Sequence, residues 1–188
     1  MKIEWPEGRA AIALIGFMGS GKTATGREIA RILDVHFADL DARLEAATGC
    51  TIAQIFEREG AERFRELEQQ CLSAALLEQR PQVLACGGGI VLREANRQML
   101  RERCITVWID VPLEELLARL ASQRAGRPLL QRDDWQEEVG RLLRQRIPLY
   151  QATAAIIYHW QGEKNPADTA GEIVMLVEAY YRQCITRG

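Results

Sequence analysis

The sequence predicts an α/β protein of three layers, with helices on both faces of a central, mostly five-stranded parallel sheet. Two observations carry that reading. Short, continuously apolar runs of the kind that form strands buried on both faces recur along the chain, and segments with helical apolar spacing separate them. With 188 residues, 47% of them hydrophobic, residues 1–188 fit one domain with a substantial core.

Ala10 to Ile15 is the first apolar run, ended by Gly16. Lys22 to Leu33 follows as a helix, with Ile29, Ile32 and Leu33 at helical spacing, and Val35 to Ala38 is a second strand leading to Asp39 and Asp41. Thr51 to Gln79 reads as helices interrupted near Gly60, because Ile52, Ile55, Phe64, Leu67, Leu72 and Leu76 keep a helical period among many charges. Val83 to Cys86 is a strand that runs into Gly87-Gly88-Gly89. Glu94 to Arg103 is a helix, Ile105 to Ile109 a strand, and Pro112 to Ser122 a helix opened by an early proline. Gln123 to Asp134 is polar and holds Gly126 and Pro128, so it reads as a mobile loop outside the core, a lid. Trp135 to Arg146 is helical until Pro148 stops it, Ala154 to Tyr158 is the fifth strand, and Asp168 to Arg182 is the closing helix.

The net charge is −2 and the basic residues are scattered, which excludes the electrostatic footprint of a nucleic-acid binder. Cys50, Cys71, Cys86, Cys104 and Cys184 are far apart and odd in number, without a C-x-x-C pair, so reduced thiols in a cytoplasmic protein are expected. The opening residues lack the apolar stretch of a signal peptide, and no run approaches the roughly 20 apolar residues that span a bilayer. Neither export nor a membrane partner is expected.

Gly16-Phe-Met-Gly-Ser-Gly21-Lys22-Thr23 matches G-x-x-x-x-G-K-[ST] without a gap, after a strand and before a helix. This is a P-loop, and it specifies the fold further as that of a P-loop NTPase. Backbone N–H groups of such a loop and the following helix N-terminus gather positive potential around phosphates. Gly19, Ser20, Gly21, Lys22, Thr23 and Ala24 are the candidate nucleotide contacts, with Lys22 on the β- and γ-phosphates and Thr23 on Mg²⁺. A phosphate loop does not by itself name an acceptor.

Four further features bear on the acceptor. Asp39-Leu-Asp41 follows a strand, so these carboxylates either serve a metal and a reacting hydroxyl or cap the helix that starts near Ala42. Arg65 lies beside Phe64 among Glu62, Glu66 and Glu68, where a wet surface ion pair is the competing reading. Gly87-Gly88-Gly89 is either a ligand-lining loop or a plain strand-ending turn. Arg127-Pro-Leu-Leu and Arg146-Ile-Pro-Leu-Tyr150 add two more arginines, the first next to Pro128 and the second two residues before Pro148.

Taken in this order, the features resemble those of the shikimate kinase family, from about Ile12 to Pro166. The span includes Leu40-Asp-Ala-Arg-Leu-Glu-Ala-Ala-Thr-Gly49 and Ile55-Phe-Glu-Arg-Glu-Gly60. The resemblance implies transfer of the γ-phosphate of ATP, with Mg²⁺, to the 3-hydroxyl of shikimate, by a monomer whose small-molecule partners are ATP and shikimate. It implies that Asp39 holds Mg²⁺ through water, that Asp41 contacts the hydroxyl as base, and that Arg65 and Arg146 grip the carboxylate. It further implies that Gly87, Gly88 and Gly89 line the acceptor pocket, that residues 41–80 form a helical substrate-binding subdomain, and that Arg127 swings over the γ-phosphate on the lid, residues 123–134. Arg119 matches an arginine near the nucleotide base, with one extra residue between it and Arg127, and Lys164 stands where an arginine is common. Trp160 falls where members of the family often carry an aspartate, so the adenine end departs from the pattern. His36 and His159 have no second ligand spaced to join them and are assigned no chemistry.

Other readings are a different small-molecule or nucleotide kinase of this fold and a non-catalytic nucleotide-binding protein. The first should lack the set formed by Arg65, the three glycines and Arg146, and the second could lose the acceptor residues altogether.

Overall fold

The computed structural model describes residues 11–78, 80–122, 128–162 and 164–185. Five strands, β1 (Ala11–Ile15), β2 (His36–Asp39), β3 (Gln82–Ala85), β4 (Cys104–Asp110) and β5 (Ile156–His159), form one sheet in the order β2-β3-β1-β4-β5 with every pairing parallel. The helices are α1 (Lys22–Leu33), α2 (Leu40–Thr48), α3 (Ile52–Leu77), α4 (Glu94–Arg103), α5 (Leu113–Ala121), α6 (Trp135–Thr153) and α7 (Pro166–Ile185). The chain leaves β1 toward β2 on one side and later builds β4 and β5 on the other. The crevice at the carboxyl ends of β1 and β3 is therefore the switch point at which such sheets bind ligands.

Alternation along β1 sorts the core into two faces. Ile12 and Leu14 point into a cluster with Ile29 and Leu33 of α1, Leu116 and Leu120 of α5, and Ile173 and Val177 of α7. Ala11, Ala13 and Ile15 point the other way, against Leu72 and Leu76 of α3, Leu100 of α4 and Tyr150 of α6. Both sides of β1 are thus covered, which explains its unbroken apolar sequence. Each wholly buried Ile or Leu contributes roughly 1.5–3 kcal/mol relative to exposure, so β1 is a rigid base for the loop that follows it. A smaller cluster of Leu44, Ile55 and Phe64 joins α2 to α3 beside the sheet.

Local chemistry sets the helix ends. Thr51 and Gln54 form a capping box at the start of α3, and Gly60, at φ 82° and ψ 177°, breaks its helical course at the expected place. At two points the structure departs from expectation. Pro148 does not end α6, which continues to Thr153. A mid-helix proline removes one backbone hydrogen bond, but the turn beyond it carries Tyr150, wholly buried and stacked on Trp108 at 5.7 Å, and that packing outweighs the loss. Within the segment expected to lie outside the core, Pro128–Gln131 forms a 3₁₀ turn and Leu130 is fully buried beside Trp135 and Val139. One apolar side chain in a polar stretch is enough to tie that end down.

Cys50, Cys71, Cys86 and Cys104 are free thiols. Among the described residues, no helix is long and apolar enough to cross a membrane.

Candidate active site

The phosphate loop spans Gly16 to Thr23 between β1 and α1. Gly21 caps α1 at φ 90°, a left-handed conformation open to glycine, and as a glycine it has no side chain to cap the first N–H groups of the helix. Those donors stay directed at whatever anion the loop holds. The Lys22 ammonium lies over the loop and donates to the carbonyls of Gly16 at 3.0 Å and Phe17 at 2.8 Å, and to Ser20 Oγ at 3.3 Å. Thr23 and Ala24 are exposed on the first turn of α1.

Thr23 Oγ1 donates to Asp39 Oδ2 at 2.6 Å. The other oxygen of Asp39, Oδ1, accepts from the backbone N–H groups of Asp41 at 3.0 Å and Ala42 at 3.2 Å. Capping and facing the phosphate loop are therefore not alternatives, since one carboxylate does both with different oxygens. Because Asp39 ends β2 and caps α2, Asp41 is carried on the first turn of α2 with no capping duty. It turns toward the glycine loop: a Cβ on Gly87 would lie 2.7 Å from Asp41 Oδ1 and 2.9 Å from Glu68 Oε1. Burial and then the neighbouring Asp39 charge raise the Asp41 pKa above its ordinary value, while Lys22 and Arg65 pull it down.

Arg65 does form an ion pair, but not on a wet surface. Its Nη1 lies 2.6 Å from Glu68 Oε2, and the Glu68 side chain is only 2% exposed. The guanidinium also sits 4.8 Å over the Phe64 ring. Among the described residues Glu68 Oε1 has no hydrogen-bond partner, and burial pushes the Glu68 carboxyl above the usual range against the pull of Arg65. From α6, Arg146 Nη1 donates to the Gly88 carbonyl at 3.3 Å, and its guanidinium lies 5.4 Å from the Phe17 ring centroid. The Tyr150 hydroxyl donates to the same carbonyl at 2.5 Å, and burial pushes its pKa up to about 12. The glycine loop is consequently held from both sides, by α3 and by α6.

Lys22, Asp39, Asp41, Arg65, Gly87, Gly88, Gly89 and Arg146 thus gather at the carboxyl ends of β1, β2 and β3. Arg119 lies at the other flank of the phosphate loop, donating from Nη1 to the Gly19 carbonyl at 3.2 Å. Lys164 turns to α7, where Glu172 Oε1 holds its ammonium at 2.5 Å. The first five residues of the lid, 123–127, which include Arg127, lie outside the described residues. His159 is exposed, with Nδ1 3.0 Å from Asp110 Oδ2, and His36 is exposed on β2. Among the described residues no group of three His, Cys, Asp or Glu side chains could hold a metal.

Sequence reasoning did not single out Glu68 or Tyr150. A signal for Glu68 existed: it shares the four-residue spacing of Phe64 and Leu72, so an acidic residue stands on the buried stripe of α3. Tyr150 lies one turn after Arg146 on α6, on the far side of the proline that was expected to end that helix.

The chain is similar to known proteins over most of its length. A family model described as shikimate kinase matches residues 18–178. The chain is 41% identical over 171 residues to a shikimate kinase of Parasynechococcus marenigrum (strain WH8102), covering 90% of this chain and 87% of the relative. It is 39% identical over 172 residues to a shikimate kinase of Aromatoleum aromaticum, covering 92% and 97%. The structure of shikimate kinase from Acinetobacter baumannii in complex with shikimate superposes with a TM-score of 0.85 at 36% identity, over 91% of this chain and 94% of that one. The switch-point crevice, the phosphate loop and these matches lead to one conclusion: the chain belongs to the shikimate kinase family of ATP-dependent kinases.

Proposed function

We propose that this chain transfers the γ-phosphate of ATP to the 3-hydroxyl of shikimate, giving shikimate 3-phosphate and ADP, with the residues gathered around the glycine loop. The observation that carries this reading is the convergence of Arg65 and Arg146 on Gly87–Gly89, with Asp41 against the same loop and within electrostatic reach of Lys22. Two guanidinium groups from distant segments suit a carboxylate that accepts bidentate bonds, and a carboxylate beside the phosphate loop suits a reacting hydroxyl. Glu68 keeps Arg65 oriented while its own second oxygen faces the pocket.

The 3-hydroxyl oxygen attacks the γ-phosphorus, and the bond from that phosphorus to the β–γ bridging oxygen breaks. Asp41 orients the hydroxyl and takes its proton. Lys22 and the N–H groups of residues 19–24 stabilise charge on the phosphates, and Arg127 adds a cation when the lid, residues 123–134, closes. Arg119 and Lys164 serve the nucleotide end, and residues 41–80 act as the acceptor-binding subdomain. Thr23 and Asp39 present two hard oxygen donors 2.6 Å apart, which fit Mg²⁺, with Thr23 as ligand and Asp39 acting through water. An ion held by these two residues would supply positive charge to the bound phosphates. We place the chain as a cytoplasmic monomer without a membrane partner, and a net charge of −2 with scattered basic residues supports the absence of a nucleic-acid partner.

A coupled ADP-release assay across shikimate, quinate, gluconate and nucleoside monophosphates tests the reading. Turnover confined to shikimate is expected, and preferred turnover of a nucleoside monophosphate or of gluconate would replace the acceptor.

A further inference from the structure

Trp160 stands just beyond β5, and its backbone N–H donates to the Asp110 carbonyl at 2.9 Å, which anchors it to the end of β4. Its half-buried indole packs on the larger core cluster. The Arg119 guanidinium carbon lies 4.8 Å from the ring centroid, a cation–π distance. Two further contacts hold the same guanidinium: Nε lies 2.6 Å from Glu115 Oε1, and Nη1 donates to the Gly19 carbonyl at 3.2 Å. Nη1 is also 3.9 Å from where a Cβ on Gly21 would stand. An arginine that only solubilised the end of α5 would keep its rotamer freedom. This one is fixed by an aromatic face, a carboxylate and the phosphate loop, so its ordering cost is met before any ligand arrives.

We infer that Trp160 is a positioning residue for the nucleotide, holding Arg119 against the phosphate loop so that a purine base meets a fixed cationic plane. The inference rests on the kinase reading above and deepens it at the nucleotide end. A guanidinium plane stacks on a heteroaromatic base as readily as on an indole, and Arg119 borders the loop that takes the phosphates. Trp160 supplies a π face to the guanidinium, so this chain orients its arginine by stacking. Trp160 acts through Arg119 and makes no contribution at the acceptor pocket.

The test is isothermal titration of ADP into the wild type, Trp160→Phe, Trp160→Leu, Arg119→Ala and the Trp160→Leu/Arg119→Ala double variant, with shikimate KM measured alongside. Trp160→Leu weakens ADP roughly 2- to 30-fold, the range of a cation–π contact. Trp160→Phe retains a π face and loses less. In the Arg119→Ala background, Trp160→Leu has no further effect on ADP, and in no variant with Arg119 does shikimate KM move. Equal losses in the Phe and Leu variants, or a Leu effect of the same size with and without Arg119, would overturn the inference while leaving shikimate phosphorylation intact. A wild type that neither binds ADP nor phosphorylates shikimate would overturn the functional reading together with it.

Discussion

Gly89 and Arg65 are so closely apposed that a methyl group on Gly89 would stand 2.3 Å from two of the guanidinium nitrogens. The residue that would have to move is the flexible end of a side chain, so the fold tolerates Gly89→Ala but the position of Arg65 does not. The variant should melt within a few degrees of the wild type while kcat/KM for shikimate falls roughly 10-fold or more, the loss expected when a charge-assisted bond is displaced. ATP KM stays in place. Steady-state kinetics with each substrate varied in turn checks this, and an equal rise in both KM values would count against it.

Lys22→Ala should lower kcat on the order of 100-fold or more with little change in melting temperature. The ammonium bonds to the loop's own carbonyls and to Ser20, outside the hydrophobic clusters, so its removal spares the core and strips a fixed charge from the phosphates. Turnover and thermal melting of the purified variant decide it. A kcat close to that of the wild type would remove the phosphate-loop role.

The phosphate loop was legible because its eight residues are contiguous and their chemistry needs no partner. The sheet was legible because strands buried on both faces have no polar side to disguise them. That Asp39 caps α2 with one oxygen while the other meets Thr23 was not, since it depends on β2 ending at Asp39, one residue later than apolarity alone places it. Glu68 was overlooked for a different reason: among Glu62, Glu66 and Arg65 it reads as a surface charge, although it keeps the spacing of the buried Phe64 and Leu72. Leu130 and Pro148 misled because packing decided their fate against local preference. The Trp160–Arg119 contact joins residues forty-one positions apart and left no local pattern to read.

Asp41→Asn should separate activity from stability. The folded-state pKa of Asp41 is raised, so the native protein binds its proton more tightly than the unfolded chain does. Stability from this group therefore falls as pH rises from the ordinary value of 3.8 through the raised one, and at neutral pH the ionised carboxylate is a cost. The neutral isostere should melt no lower than the wild type at pH 7 while kcat falls on the order of 100-fold or more. In the wild type, kcat/KM should drop on the acid side with an apparent pKa above 3.8. An unchanged kcat in the variant would leave Asp41 without a part in the chemistry.

Arg127→Ala should lower kcat more than it raises shikimate KM, because its charge is needed on the transferring phosphoryl group and not on the bound acceptor. A variant that changes KM alone would move Arg127 to the acceptor pocket.

The carboxylate clamp formed by Arg65 and Arg146 is tested most directly by comparing kcat/KM for shikimate and for its neutral carboxamide in the wild type, Arg65→Ala and Arg146→Ala. Breaking a desolvated charge pair costs roughly 2–5 kcal/mol, so the wild type should prefer the acid by about 30-fold or more. Each alanine variant should lose most of that preference by losing activity on the acid, with ATP KM little changed. Equal phosphorylation of acid and amide by the wild type, or variants that lose affinity for ATP instead, would contradict the clamp.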